Sequence, residues 1–481
     1  MFFITLLKIT SILAAIVGGT FAIPVIVAIY CGETDFLPSF LIPMIISFVL
    51  FALINIPTRK IKYQMKLRQT FLIVALSWIV ASLMAAIPMY FSGYFGSFVN
   101  ALFESVSGFT TTGATFLGDI DSIPRCINML RCLTHWLGGM GIVTLTVALL
   151  PLLGVGGFQL IKAETTGPEK GKVTARITTT AKVLWLIYAA FTLIETILLK
   201  IAGMDFIDAL SHSFATLGTG GFSTKTASVG NYNSAAIDII ITVFMFLAGI
   251  NFSLYYYLIQ RNFREVRDNS ELKAYIGIVV FFIVMVTISL LKTYGTIGKS
   301  LRFASFQVIS IMSTTGFATA DFITWPTSAQ FWLFLLYFIG GCSGSTAGSI
   351  KVIRWVILTK QVNNETKRML HPHGVFSIRL NNKVGRKDII FNVAAFVTLY
   401  LVLVGITTFV GCLGNLDLFS SFTGALSMVG NVGPAFGTLG PSANYGFLPS
   451  FVKIWYSFAM LAGRLELYTM LIFMFPAYWR K

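Results

Sequence analysis

Long apolar runs alternate with short polar breaks from one end of the chain to the other. A helix needs about 20 apolar residues to cross the hydrocarbon core of a bilayer. Runs of that order fall near residues 3–30, 37–57, 69–92, 127–153, 181–203, 235–260, 274–293, 328–358, 388–412 and 450–479, and predict ten spans. Four shorter apolar segments lie between them, near 98–110, 205–217, 300–313 and 416–428. They are too short to span and predict re-entrant helices. The first run is too long for a signal-peptide core and has no persuasive cleavage site, so it reads as a retained helix.

Composition agrees. Of 481 residues, 56% are hydrophobic and 11% charged, with a mean hydropathy of +0.80. A soluble domain carries about a quarter charged residues, so lipid is the solvent this surface requires. A net charge of +16 would suggest nucleic acid in a soluble protein. Here its location decides otherwise. With a cytoplasmic N-terminus, 26 of the 35 Lys and Arg residues fall in inner-side segments, densest at 59–68, 162–182, 261–273 and 351–387. That is the expected inside bias of basic residues. It puts both termini in the cytoplasm, predicts no nucleic-acid partner, and sets all four short segments on the outer side. Five cysteines stand singly, which argues against a disulfide framework or a metal site. No Gly-rich nucleotide-binding turn follows a strand pattern.

The ends of the four short segments resemble one another: FESVSGFTTTGAT to Thr115, LSHSFATLGTGGFST to Thr224, FQVISIMSTTGFAT to Thr319 and FTGALSMVGNVGPAF to Phe436. Aligning their shared glycine gives Gly113, Gly221, Gly316 and Gly433, separated by 108, 95 and 117 residues. Two residues before each stands Thr111, Thr219, Thr314 or Asn431, and between them Thr112, Gly220, Thr315 or Val432. Non-helical backbone at membrane depth is tolerated only where it is buried or lines water. Glycine allows φ values that aim successive carbonyls one way, and four such strands around an axis can replace the hydration shell of a monovalent cation. Helix C-termini pointing at the path would add partial negative charge. Small residues can also serve only for close helix packing in lipid, but four matching segments on one side favour the ion path.

These four segments, with WLGGMGIVTLTVALLP (136–151), GGCSGSTAGSIKVIR (340–354) and AGRLELYTML (462–471), resemble the Trk/Ktr/HKT superfamily of potassium transporters. The two extra N-terminal helices are similar to the bacterial Trk branch. The resemblance implies an all-α polytopic membrane protein of four M1–pore loop–M2 repeats in pseudo-fourfold arrangement. The divisions expected are residues 1–67 for the extra helices, then 68–157, 158–262, 263–385 and 386–481 for the repeats. It also implies potassium as substrate with no bound cofactor, a bacterial inner-membrane location, a homodimer, and a cytosolic nucleotide-binding ring on separate chains that controls gating. The TVGYG signature of tetrameric potassium channels is reduced here to one shared glycine, followed by Ala114, Phe222, Phe317 or Pro434. Fewer carbonyl layers imply weaker selection between ions. In the superfamily, serine for the first filter glycine goes with sodium transport; glycine in all four repeats implies potassium.

Two features suggest a gate. Gly340, Gly341, Gly344, Ser345 and Gly348 interrupt the eighth span, and each glycine disfavours a helix by nearly 1 kcal/mol. This is the one strongly unwound stretch the pattern shows, readable as a packing seam or as an intramembrane gating loop below the third filter strand. Arg464 is the one basic residue placed deep in a span, near the middle of the last. Such an arginine faces water or a partner. Glu466, two residues on, points to another helix face, leaving an interhelical pair with Glu104 or Glu195, or a fixed positive barrier in the pore, which the family's matching arginine supports. His135 reads as a hydrogen-bonded packing residue, and His371 and His373 as a surface turn or a contact for a cytosolic partner. The basic loops could also dock an acidic regulatory surface or anionic lipid.

A proton- or sodium-coupled secondary transporter with a midplane site is the alternative, expected to show two similar halves with broken helices at matching positions. An enzyme would need intramembrane acid, base, metal or nucleophile clusters. The chain has four histidines and neither HExxH nor GxSxG.

Overall fold

The computed structural model describes residues 2–58, 67–141, 177–381, 383–384 and 387–480. The chain begins with α1 (Phe2–Thr20), α2 (Ala22–Cys31) and α3 (Leu37–Asn55). The first repeat is α4 (Leu67–Phe91), α5 (Phe98–Phe109) and α6 (Arg125–Gly139). The second is α7 (Ile177–Ile201), α8 (Phe206–Gly218), and a second helix split into α9 (Ala235–Ala248) and α10 (Phe252–Ile259). After the short α11 (Phe263–Arg267) come α12 (Ser270–Tyr294), α13 (Ile297–Met312), α14 (Thr327–Leu336) and α15 (Val352–Leu370). A two-residue hairpin pairs Arg379–Leu380 with Lys383–Val384. The fourth repeat is α16 (Lys387–Leu413), α17 (Leu418–Gly430), α18 (Ser450–Arg464) and α19 (Tyr468–Leu471).

The four short helices α5, α8, α13 and α17 are the expected re-entrant ones. Three are started by a side-chain cap, which satisfies amides that a helix N-terminus leaves free. Ser97 accepts from Asn100 N–H at 3.2 Å, Asp205 from Ile207 N–H at 3.3 Å, and Asp417 from Ser420 N–H at 3.0 Å. Each re-entrant helix packs on the second helix of the preceding repeat: α8 on α6, α13 on α9, and α5 back on α18. Phe334 of α14 meets Phe419 and Phe422 of α17 at ring-centroid distances of 6.4 and 6.3 Å. Head-to-tail packing of this kind closes a ring of four.

Six helices among the described residues are long and apolar enough to cross a membrane, or up to eight if each bent pair is one span. The ten predicted spans are therefore not ten straight helices. The sixth bends by 92° between Ala248 and Phe252, and the last by 119° after Arg464. Arg464 is thus the final residue of α18 and not mid-helix. The glycine-rich interruption of the eighth span is real, running from the end of α14 to the start of α15, but it is one of several breaks. Apolarity along a sequence reports burial in lipid and says nothing of helix continuity. The stretch 142–153 of the fourth predicted span lies outside the described residues, with Arg59, Lys60, Lys62, Lys66, Lys162, Lys170, Lys172, Arg176 and Arg386.

Candidate ion pathway

Every re-entrant helix ends in the same way. Thr111, Thr219, Thr314 and Asn431 have φ of 55°, 53°, 55° and 56°, in the left-handed region. The amide after each reaches back five residues: Thr112 N to Ser107 O at 2.9 Å, Gly220 N to Ala215 O at 2.8 Å, Thr315 N to Ser310 O at 2.8 Å and Val432 N to Ser427 O at 2.9 Å. With the shorter bonds from Thr111, Thr219, Thr314 and Asn431 to Gly108, Thr216, Ile311 and Met428, this is a Schellman stop. Its left-handed position is normally glycine, yet three of the four here are β-branched threonines, whose positive φ is a genuine outlier. Strain of roughly 1–3 kcal/mol per residue persists only where the surroundings over-determine it. All four positions are fully buried.

Two residues on, Gly113, Gly221, Gly316 and Gly433 have φ of 78°, 81°, 82° and 96°. Their Cα atoms close a cycle. A Cβ on Gly113 would stand 2.0 Å from Gly220 O, on Gly221 2.1 Å from Thr315 O, on Gly316 2.2 Å from Val432 O, and on Gly433 2.4 Å from Thr112 O. Each glycine backs on the carbonyl preceding the next repeat's glycine, and the fourth returns to the first. The twelve residues Thr111–Gly113, Thr219–Gly221, Thr314–Gly316 and Asn431–Gly433 therefore come together in one ring of backbone. A cavity of about 80 Å³ opens over it, lined by all four glycines with Arg131 and Lys225 among others.

Side chains that the motif reading passed over hold this ring. Glu104 and Arg131 form a fully buried ion pair at 2.7 Å. Glu104 also accepts from Thr115 Oγ1 at 2.8 Å and Phe116 N–H at 3.2 Å, and Arg131 lies 4.3 Å from the Phe222 ring centroid. His212 stands at the matching place in the second repeat, nine before its glycine. Its Nδ1–H donates to Asp208 O at 2.8 Å, and its Nε2 accepts from Ser223 Oγ–H at 2.9 Å. Gln307 stands at that place in the third repeat, where its amide meets no hydrogen-bond partner among the described residues. Reading the glycine alignment nine residues back would have found all three. His135 is more than the packing residue expected. Its Nε2 accepts from Phe222 N–H at 3.2 Å, which leaves Nδ1–H to donate to Gly108 O at 2.7 Å. It ties the first re-entrant helix to the second strand. Tyr445 and Tyr337 donate to Gly433 O at 2.8 Å and Pro434 O at 2.9 Å.

A second set of contacts lies beside the ring. Gly348 N–H donates to Thr314 Oγ1 at 2.7 Å, and a Cβ on Gly348 would stand 2.4 Å from Gly430 O. The 340–351 loop thus presses on the third and fourth strands. Cys342 N–H donates to Gly249 O at 2.8 Å, and Phe252 N–H to Gly344 O at 3.1 Å, so the break in the second repeat holds the loop in the third. Arg464 donates to Thr346 O at 2.6 Å, Gly138 O at 2.7 Å and Gly139 O at 3.0 Å. Those carbonyls belong to the first and third repeats, which stand opposite in the ring, so the guanidinium lies across the centre. The interhelical pairs considered for Arg464 do not form. Glu104 is taken by Arg131, Glu466 pairs with Arg354, and the Glu195 carboxylate meets no hydrogen-bond partner among the described residues. Arg464 is itself only half-buried, whereas Lys8, Arg131, Lys351, Arg354 and Lys453 are buried, all of them in positions that charge counting assigned to outer or inner segments. His371 and His373 occupy an exposed turn.

The sequence model of the TrkH family, described as cation transport protein, matches residues 37–481. The Trk system potassium uptake protein TrkH of Escherichia coli K12 is 38% identical over 490 aligned residues, covering 100% of both chains. That of Halomonas elongata is 39% identical over 487, covering 99% of each. The crystal structure of the potassium transporter TrkH from Vibrio parahaemolyticus superposes with a TM-score of 0.86 at 33% identity, over 100% of both chains.

Proposed function

The chain belongs to the TrkH family of cation transport proteins, and from that premise we propose that it takes up potassium through the centre of the four-repeat ring. The relatives named above are potassium transport proteins and not enzymes, and the described part of this chain offers no group of three metal-ligating side chains. Ions would pass the carbonyls of residues 111–113, 219–221, 314–316 and 431–433. The observation that carries this reading is the cyclic approach of Gly113, Gly221, Gly316 and Gly433 to the next strand's carbonyls. Four backbone strands around one axis supply the oxygen shell that replaces water around a monovalent cation.

Gating is the second part of the proposal. Arg464 and the loop containing Gly340, Gly341, Gly344, Ser345 and Gly348 would close the path, the arginine by charge and the loop by bulk. Release would come from a nucleotide-binding ring on separate chains, docked on the basic segments of the cytoplasmic face. The assembly would be a homodimer in the bacterial inner membrane with both termini inside. The five divisions ending at 67, 157, 262, 385 and 481 follow from the same repeat reading. Purified protein in liposomes, under imposed potassium, sodium and proton gradients, tests the whole. Potassium flux that follows its own gradient supports a pore. Flux that stops without a proton or sodium gradient returns the coupled transporter.

A further inference from the structure

We propose that Glu271 is the positioning residue that holds the 340–351 loop across the pathway, and that the 379–384 hairpin beside it is the lever that frees the loop. The proposal rests on the gating reading of that loop. Glu271 lies in the first turn of α12 and is 6% exposed. Its Oε1 accepts from Ser343 N–H at 2.7 Å and from Ile353 N–H at 3.1 Å. One oxygen therefore pins the start of the loop and the first turn of α15, drawing together chain positions ten residues apart. A carboxylate facing the N-terminus of α15 is also favoured by the helix dipole. Neither amide has another acceptor among the bonds described, and a buried donor left without one is costly. Glu271 thus fixes the width of the loop at its base, while Arg464 fixes its tip at Thr346.

The residue before Glu271 is bolted to the hairpin. Ser270 N–H donates to Asn381 Oδ1 at 2.8 Å, and Asn381 N–H donates to Ser270 Oγ at 3.3 Å. Asn381 forms the hairpin turn with φ 47°. Leu380 and Ile378 pack with Ile353 and Ile357 of α15 and with Val393 of α16. The hairpin is therefore attached at both of the points that Glu271 joins, the start of α12 and the start of α15. Any force that shifts it relative to α12 loads the Glu271 bonds directly.

The experiment uses the full chain in liposomes, with basal potassium flux and site-resolved thiol labelling of Cys342, which sits in the loop and is 1% exposed. Glu271→Ala is expected to raise basal flux at least about fivefold, the low end of one to three kcal/mol for two unsatisfied amides, and to make Cys342 reactive. Glu271→Gln keeps the acceptor oxygen and should give a markedly smaller rise. Asn381→Ala, at a half-buried turn position, should raise flux by a smaller factor, with Cys342 partly labelled. A folded Glu271→Ala protein with parental flux and protected Cys342 overturns the proposal, provided Arg464→Ala raises flux in parallel. If Arg464→Ala and a shortened loop also leave flux unchanged, the gating reading itself is wrong. Should Glu271→Ala not fold, Asn381→Ala decides: parental flux and a protected Cys342 in that variant overturn the lever.

Discussion

The backbone ring proposed as the filter repeats one local design four times, whereas the proposed constriction beside it is assembled from four different helix breaks. Each filter strand is a helix stop made by six contiguous residues, with a left-handed threonine or asparagine and a left-handed glycine at fixed offsets. The constriction has no such unit. Its first-repeat part is the helix end at Gly138–Gly139, its second a 92° bend, its third a loop, and its fourth a 119° bend at Arg464. Symmetry suits a site that must surround a spherical ion equally. If the loop and Arg464 close the path as proposed, asymmetry suits an obstruction that one movement can withdraw, since only one loop and one guanidinium would need to shift. The ring packs backbone on backbone under buried side-chain braces, and at the breaks beside it Arg464 joins carbonyls of the first and third repeats.

The largest effect should come from breaking a brace of the ring. Arg131→Met leaves Glu104 buried without its cation, and losing one partner of a buried pair costs about 3–5 kcal/mol. Thermal or denaturant unfolding in detergent should show that loss, and pairing the change with Glu104→Gln should recover most of it. Parental stability in the single variant would mean that the pair does not support the filter.

Arg464→Ala probes the other region. A unit charge 4–8 Å from a permeating cation, at an effective dielectric near 20, raises the barrier by roughly 2–4 kcal/mol. Each 1.4 kcal/mol is about tenfold in rate, so basal potassium flux should rise tenfold or more. Its bonds go to backbone carbonyls, of a loop at Thr346 and of a helix end at Gly138 and Gly139, so stability should change far less than for Arg131→Met. Equal losses of stability with no gain in flux would make Arg464 another brace and erase the contrast between the regions.

Gly113→Ser tests the ring's geometry directly. Its Cβ would meet Gly220 O at 2.0 Å, so the second strand must yield, at an overpacking cost of roughly 1–3 kcal/mol. Potassium-over-sodium discrimination should fall by about tenfold in a folded protein. Gly433, with 2.4 Å of clearance, should tolerate serine slightly better. Equal permeability ratios for parent and Gly113→Ser would place the selective carbonyls elsewhere.

The smallest effect belongs to a helix cap. Asp417→Ala removes the acceptor for Ser420 N–H and should cost about 1 kcal/mol. The bonds from Ser420 hold the Asp417 carboxyl below the usual carboxylate range. A lowered folded-state pKa contributes stability above the unfolded value and loses it as pH falls through the folded one. The difference between parent and variant should therefore be full at neutral pH and shrink only in strong acid. A constant difference down to the acid limit would show that the cap acts without its charge.

The four matching strand ends were legible in the sequence because their determinants are contiguous. A stop that needs positive φ two residues before a glycine, on a short apolar helix, leaves the same signature wherever it occurs, and four copies made the register readable. The braces were partly legible: Glu104 and His212 share an offset from the glycine, but only side-chain geometry tells that they reach Thr115, Phe116 and Ser223 while Gln307 at the same offset reaches no partner among the described residues. His135 gave no signal, since one histidine on an apolar helix looks the same whether it packs or bridges two repeats. Apolar length alone hid the helix breaks after Ala248 and Arg464. Glycine-poor stretches such as Arg464–Leu467 bend because Glu466 pairs with Arg354 and Glu466 and Leu467 adopt φ of 58° and 54°.

By itself the sequence determined a lipid-embedded, four-times-repeated chain and the register of its four left-handed strand ends, since hydropathy and backbone conformation are set by neighbouring residues. Only the tertiary structure decided what Arg464, Arg131 and Glu271 touch. Their partners are carbonyls, carboxylates and amides tens to hundreds of residues away, and those groups become available only where packed helices end. A charge in an apolar segment announces that it must be satisfied; which group satisfies it depends on where the other repeats stop.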